Sequence, residues 1–509
     1  MKRTGPAQPF ALFLPACLLC FSACTSNGPR PTDPPPPPEP AAAAADLPEP
    51  EAEAPEEQPD PGPRDDSPMP YPEAVDTSGW EIVSGPDSLG AAAGTRPPAQ
   101  ALPPVSRPDG IVQRPRPKDL PDRVHVLLSR SAKPLALYSL GDMQILSESV
   151  GESGAGKTVA TTRLVTLKGR FTIRRSGSGF AVEQAGKATQ TTPARKLRLI
   201  SVNPYNLIDV GPSVYRGSLH LIGEANGDIA TVNVLGVEDY LRGVLPYELG
   251  TVDREALEAL KAQAIVARTY AYKRMLRAGA GDFHIYSDVQ DQVYKGVRGE
   301  YLLSDRAVWE TRNMAVCHGD TLAICYYFST CGGRTASKHE VWGGDSIPYL
   351  ITRPDVDEMG APFCQASRYS SWTQEWSQAQ LTGILRRNLR SAGVADFPAF
   401  SSLRGFEVPQ RATCGRIEAL KILTDKGPIL VKGDKVRWAM RPSASSDKIL
   451  PSAFFTVKLA GGKITAQGKA FGHGVGLCQV GAIGRARADQ DFRQIIEAYY
   501  TGVQVVEFK

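Results

Sequence analysis

The chain has 509 residues, too many for one ordinary domain, with 58 Lys and Arg against 54 Asp and Glu and a formal net charge of +4. The charge is unevenly placed: residues 1–109 carry 16 acidic and 6 basic side chains, which leaves 38 and 52, a net of +14, in residues 110–509. A basic globular part behind an acidic lead suits an anionic polymer outside the cell, and a secretion signal excludes nucleic acid by compartment.

That signal is residues 1–24, where Lys2 and Arg3 precede an apolar run (10–21) too short to stay in a bilayer as a spanning helix. Phe21-Ser22-Ala23-Cys24 resembles a bacterial lipobox, which makes Cys24 the acylated residue that holds the protein on a membrane. Plain signal-peptidase cleavage is the alternative. Thr25, rather than Asp, after that cysteine permits outer-membrane sorting if the cell is Gram-negative. Residues 25–118 are rich in Pro, Ala and Glu and poor in apolar clusters, the composition of a disordered tether. Residues 119–229 read as short strands between Gly, Asn and Ser turns, a small β-rich module. Inside it Gly151-Glu152-Ser153-Gly154-Ala155-Gly156-Lys157-Thr158 matches the phosphate-loop pattern. The β-branched residues that follow predict a Gly-rich hairpin instead of a helix start, so no nucleotide is expected there.

Residues 230–509 form the main domain, and its organising stretch is 237–272. A strand over 230–235 leads into a turn bracketed by Gly243 and Gly250, with Pro246 biasing Leu245 toward extended backbone. Asp253 caps a helix whose buried stripe is Leu257, Leu260, Ala264, Ala267 and Ala271, ended by Gly279 and Gly281. The turn delivers Glu248 among Val244, Leu245, Tyr247 and Leu249. A carboxyl in such surroundings keeps its proton near neutral pH, as the general acid of glycoside cleavage must. Most glycosidases need a second carboxylate. None is equally marked, although Glu238, Asp239, Asp288 and Asp291 are near in sequence. A Glu that merely caps the following helix is the competing reading. Arg268, flanking the stripe, needs a carboxylate or ligand partner.

Further on, helices are expected over 301–317 and 372–392, strands over 322–330 and 405–455, and closing helices over 481–488 and 492–499. Residues 372–460 have the look of an inserted subdomain. Without regular βαβ alternation the class is α+β. Six cysteines lie beyond the signal; Cys331 and Cys364, in polar segments flanking Trp342, are the preferred disulfide, while Cys317 and Cys325 pair across a hairpin or stay as thiols. His473 sits between Gly472 and Gly474, where backbone turns sharply and a substrate can approach; a turn histidine bonded to backbone reads the same. With no CxxC or HxxxH spacing, neither a metal nor any other cofactor is expected. Tyr326 and Trp342 offer faces for sugar rings, or belong to the core.

These residues carry a resemblance. VNVLGVEDYLRGVLPYELG, LEALKAQAIVARTYA, DVQDQVYKG, YYFSTCGGRTAS with VWGG, and GHGVGLCQVGAIGRA occur in the order of the SpoIID/LytB family, from about Tyr215 to the C-terminus. The resemblance implies a SpoIID-like catalytic region acting on peptidoglycan glycan strands. Its activity would be that of a lytic transglycosylase cleaving the MurNAc–GlcNAc bond to a 1,6-anhydro end. The family glutamate falls on Glu248, its arginine on Arg268 and its Gly-His-Gly motif on His473, with Tyr294, Tyr326, Trp342, Gly472, Gly474 and Gln479 lining the substrate. The LytB side implies instead a non-catalytic module that stimulates a wall amidase. Some members carry a Cys/His metal site around the DVQDQVY block, where this chain has Asp288, Gln290 and Asp291. Phe471 replaces a family tryptophan.

Overall fold

The computed structural model describes residues 110–153, 156–279, 281–445 and 448–509, and the side chains among these except 150–153 and 156–158. Cys24, the signal and the tether up to residue 109 lie outside the described residues. The described residues include part of the tether expected to run to 118. Val112–Arg114 is a strand paired in parallel with Gln504–Phe508, in a four-stranded sheet completed by Met314–His318 and Thr321–Leu322.

The largest sheet has 11 strands and is almost wholly antiparallel. Some of its members alternate: Lys196–Ser201 buries Leu197, Leu199 and Ser201 and leaves Lys196, Arg198 and Ile200 half-buried, the period of a strand more covered on one face. Ile229–Leu235, between Ser218–Gly223 and Val124–Ser131, is buried at every position because apolar clusters cover it on both faces, Ala230, Val232 and Val234 packing with Leu127 and Ile222. It also runs from the β-rich core, where Ile229 packs, to the helical core, where Leu235 packs. The expected boundary between residues 229 and 230 therefore falls inside one sheet. In the same sheet Gly151, Glu152 and Ser153 pair with Thr158, Lys157 and Gly156 in a hairpin whose residues 154–155 lie outside the described set. Lys157 and Thr158 belong to the strand Gly156–Ser176, and no helix follows them.

After Leu235 come α1 (Val237–Arg242), α2 (Leu245–Glu248) and α3 (Leu257–Ala278). Leu245 is helical rather than extended, since proline is well placed in a helix's first turn, where its missing N–H costs nothing. Asp253 accepts from the Ala256 N–H and starts a 3-10 turn that feeds α3, and Gly279 ends α3 at φ 55°. The expected single stripe is too narrow: Ala259 through Tyr272 is buried with one exception, Lys273 following it outward, and α3 is a central helix enclosed on all sides. Against it pack α4 (Leu302–Glu310), the strand Met314–His318 and the C-terminal pair α8 (Gln479–Ala486) and α9 (Phe492–Tyr499). The helix expected over 301–317 breaks at Asn313, whose φ is 63°, and continues as strand.

Between α5 (Lys338–Trp342) and α8 the chain makes a second body containing α6 (Gln378–Asn388) and α7 (Lys435–Ala439). Two three-stranded sheets there enclose a core of their own, from Trp376 to Ala466. The helix expected over 372–392 starts late: Trp372–Ser377 alternates as a strand, and Ser377 with Gln380 forms the capping box that opens α6. The chain then returns to the main body through Leu477–Cys478, which lies parallel to Tyr327–Phe328.

Candidate active site

Glu248 ends α2 with only 1% of its surface exposed. Its Oε1 accepts from the Val293 N–H (3.1 Å), and its Oε2 is buried with no hydrogen-bond partner. Burial among apolar residues disfavours the charged form and pushes the carboxyl up to about 7, against the opposing effects of Val293, Tyr327 and Gln479. Tyr327 and Gln479 face the carboxyl without making a bond of full geometry, and both polar atoms of the Gln479 amide are buried and unpartnered. Unsatisfied buried groups cost free energy unless something else meets them. An oxygen and an amide left open side by side are suited to a ligand.

The parallel pairing of Tyr327 with Leu477 is what carries Tyr327 and Gln479 to this point from sequence positions about 150 apart. Tyr327 is held in turn by Gln292, which donates to its hydroxyl (3.1 Å) and accepts from the Tyr240 hydroxyl (3.0 Å). The DVQDQVY block thus divides its work. Asp288 accepts from the Gln290 N–H in an exposed turn, and Asp291 is buried against Arg274 (2.8 Å), Tyr270 (2.7 Å) and the Tyr286 N–H. Gln292 holds Tyr327, Val293 reaches Glu248, and Tyr294 enters the core. A metal does not fit this block, because Asp291 is fully committed and Asp288 stands alone at the surface.

Several expected site residues are placed otherwise. Arg268 does not orient Glu248. Its guanidinium, fully buried, forms a two-point pair with Glu238 (2.9 and 2.6 Å) and donates to the Met314 carbonyl (3.1 Å), which ties α3 to α1 and to the strand after α4. His473 spends both ring nitrogens on backbone: Nδ1 accepts from the Val475 N–H (3.1 Å), so Nε2 donates to the Tyr327 carbonyl (3.1 Å). Burial, with Arg437 and Arg416 nearby, lowers it to about 3, which keeps it neutral near pH 7 while it holds the Tyr327 backbone. Tyr294 lines no cleft, since its hydroxyl donates to Asn233 (2.8 Å) inside the core. Gly474 (φ 96°) admits no side chain, because a Cβ would lie 2.5 Å from the Arg416 guanidinium carbon. Gly472 (φ 104°) is similarly closed by Phe328. Trp342 is half-buried and packs on His473 and Tyr326 at 4.9 and 5.0 Å, beside the Gly-His-Gly turn.

The expected disulfide is not formed in this structure: Cys331 and Cys364 are thiols with sulfurs 3.5 Å apart, in one small buried space with Cys478 and Asp355. Cys317 and Cys325 are also buried thiols. Nothing in the spacing of Asp355, Gln292 or Tyr327 marks them as site residues; only the DVQDQVY and YYFST blocks hint at the last two.

Comparison with known proteins agrees with this architecture. The stage II sporulation protein family SpoIID matches residues 225–318, from the central strand to the sheet beyond α4, and a domain of unknown function matches residues 364–476, the second body. An uncharacterized protein of Brachyspira hyodysenteriae is 33% identical over 58% of this chain and 73% of its own length. The stage II sporulation protein D of Bacillus subtilis is 27% identical over 65% of this chain and 88% of its own. The amidase enhancer of the same organism is 28% identical over 65% of this chain, which spans about half (51%) of that relative. The matched strand–helix region and these relatives place the chain in the SpoIID family.

Proposed function

We propose that this protein is an exported lytic transglycosylase that cleaves the MurNAc–GlcNAc bond of peptidoglycan glycan strands. The observation that carries the reading is the Glu248 carboxyl, pushed up to about 7 with one oxygen unpartnered beside an unpartnered Gln479 amide. Each alternative acid is engaged elsewhere: Glu238 by Arg268, Asp239 by Arg242, and Asp291 by Arg274 and Tyr270, while Asp288 closes a turn. One acid suffices if the substrate supplies its own nucleophile. Protonated Glu248 gives its proton to the glycosidic oxygen as the bond from C1 breaks. The MurNAc C6 hydroxyl then attacks C1 and returns a proton to Glu248, leaving a 1,6-anhydro end and consuming no water. Trp342, half-buried, offers the sugar-stacking surface, whereas Tyr326, expected beside it, is buried in the core. Among the described residues no helix is long and apolar enough to cross a membrane, and attachment is assigned to acylated Cys24, with the basic body turned toward the wall.

A second reading rests on the coverage of Glu248 and on the amidase enhancer among the relatives. A carboxyl 1% exposed meets a glycan only if Tyr327 or Gln479 moves aside, whereas a wall-binding module that stimulates an amidase needs no such opening. Mass spectrometry of the products from intact and peptide-free glycan strands, with Glu248→Gln alongside, separates the two. Anhydro-muramyl ends that disappear in the variant support the enzyme. Wall binding without products from either substrate moves the assignment to the module, to be followed with an amidase added.

A further inference from the structure

Away from Glu248, the fold gathers four buried donors that no sequence spacing reveals. Cys331, Asp355, Cys364 and Cys478 place one ligand atom each within 4.8 Å of all the others. All four residues are at most 1% exposed. We propose that they form a closed, tetrahedral Zn2+ site of three thiolates and one carboxylate.

The geometry is close to what such a site requires. With zinc–sulfur bonds of about 2.3 Å and a zinc–oxygen bond of about 2.1 Å, tetrahedral ligand atoms stand roughly 3.5 to 3.8 Å apart. Cys331 Sγ lies 3.5 Å from Cys364 Sγ and 3.0 Å from Asp355 Oδ2, so small adjustments admit the ion. Backbone amides already point at the sulfurs: Gly333 N–H at Cys331 (3.2 Å), and Cys331 N–H and Gly481 N–H at Cys478 (3.1 and 3.3 Å). Donors of this kind stabilise thiolates. The left-handed turn of Gly332 and Gly333 (φ 73° and 93°) aims the first, and the start of α8 the third. Gly481 leaves the room needed, since a Cβ there would lie 2.4 Å from Asp355 Oδ2 and 3.1 Å from Cys478 Sγ. Asp355 is oriented by Arg485 (2.9 Å) and the Tyr499 hydroxyl (3.0 Å), the outer support that a ligating carboxylate takes.

A disulfide accounts for this cluster less well. Joining any two of the three sulfurs strands the third beside a buried carboxylate, whereas one zinc engages all four. Binding forms three Zn–S bonds and one Zn–O bond and releases the thiol protons to solvent, with no change of oxidation state. The site would clamp the segment after Tyr327–Phe328, the 355–364 loop and the start of α8, where the chain enters and leaves the second body. It also fixes Gln479, next to Cys478. The inference is independent of whether Glu248 is catalytic.

The test is metal analysis of the full chain, purified without chelator and without reductant, together with Co2+ added to the reduced, metal-stripped protein. The expected result is one zinc per chain, and thiolate-to-cobalt charge-transfer and intense tetrahedral visible bands in the wild type. Cys364→Ser and Cys478→Ser should each lose that zinc. Non-reducing peptide mapping that finds a Cys331–Cys364 or Cys331–Cys478 disulfide and no metal overturns the site, as does zinc retained at full occupancy in both variants. If the variants fail to fold, the cobalt spectrum of the wild type decides: absence of thiolate bands overturns the proposal.

Discussion

Glu248 is held in opposite directions by stability and by the proposed chemistry. Its folded carboxyl keeps a proton up to about pH 7, whereas the unfolded chain loses it near 4.5, so the unfolded state binds fewer protons between those values and stability falls as pH rises. A shift of that size corresponds to about 3 kcal/mol at pH 8. Glu248→Gln should therefore raise the melting temperature more at pH 8 than at pH 5 while abolishing anhydro-end formation; equal shifts at the two pH values would mean that the carboxyl is not neutral in the fold. In the wild type, cleavage at saturating glycan should decline as pH rises through about 7, read from a kcat profile. Arg268 is the contrasting case. Arg268→Met takes the partner from a part-exposed Glu238 and the donor from the buried Met314 carbonyl, an expected loss of about 1–3 kcal/mol in denaturant unfolding. Because Arg268 does not reach Glu248, the fraction that folds should keep its kcat, and a large kcat loss in folded protein would restore a role in the site.

The elements divide between a main body built on α3 and a second body with an independent core. In the second body, Leu381, Ile384 and Leu385 of α6 pack with Leu420, Ile422 and Val431 of one sheet and Ile464 and Ala466 of the other. That closure predicts that residues 366–470, expressed alone, melt cooperatively in calorimetry; a featureless trace would show that the core depends on the main body. Arg416 ties the second body to the first by donating to the Arg334 and Cys331 carbonyls (3.2 and 3.1 Å), next to the cysteine cluster.

For the whole molecule, acid is the expected weakness. His125, on the strand Val124–Ser131, packs on His284 (4.5 Å between ring centres) and His220 (5.5 Å), three of the six histidines of the chain. Burial lowers all three, His220 to about 3 and His284 to about 4, with Lys196 adding to the effect on His125 and His220. The unfolded chain protonates them near 6.5, so their contribution is complete above that pH and is lost as pH falls toward about 4. Between pH 6.5 and 5 His220 and His284 each cost about 1.5 kcal/mol, with His125 acting in the same direction, so the urea midpoint should drop over this window. His220→Gln should flatten the drop; an unchanged slope would place the acid sensitivity elsewhere.

Sequence alone determined what short-range physics controls: the strand 230–235 and the Asp253-capped helix that frame Glu248, the two closing helices, the hairpin over the phosphate-loop match, and the family blocks. Those features depend on periodicity, caps and turn residues a few positions apart. It could not say which partner satisfies a buried charge or donor, since the choice lies among distant residues. The Glu238 that claims Arg268 is 30 positions away, the Tyr327 carbonyl that fixes His473 is 146 away, and Cys331 meets Cys478 across 147. Only the tertiary structure made those choices, because each follows from how the closed sheets and α3 bring separate segments to one point.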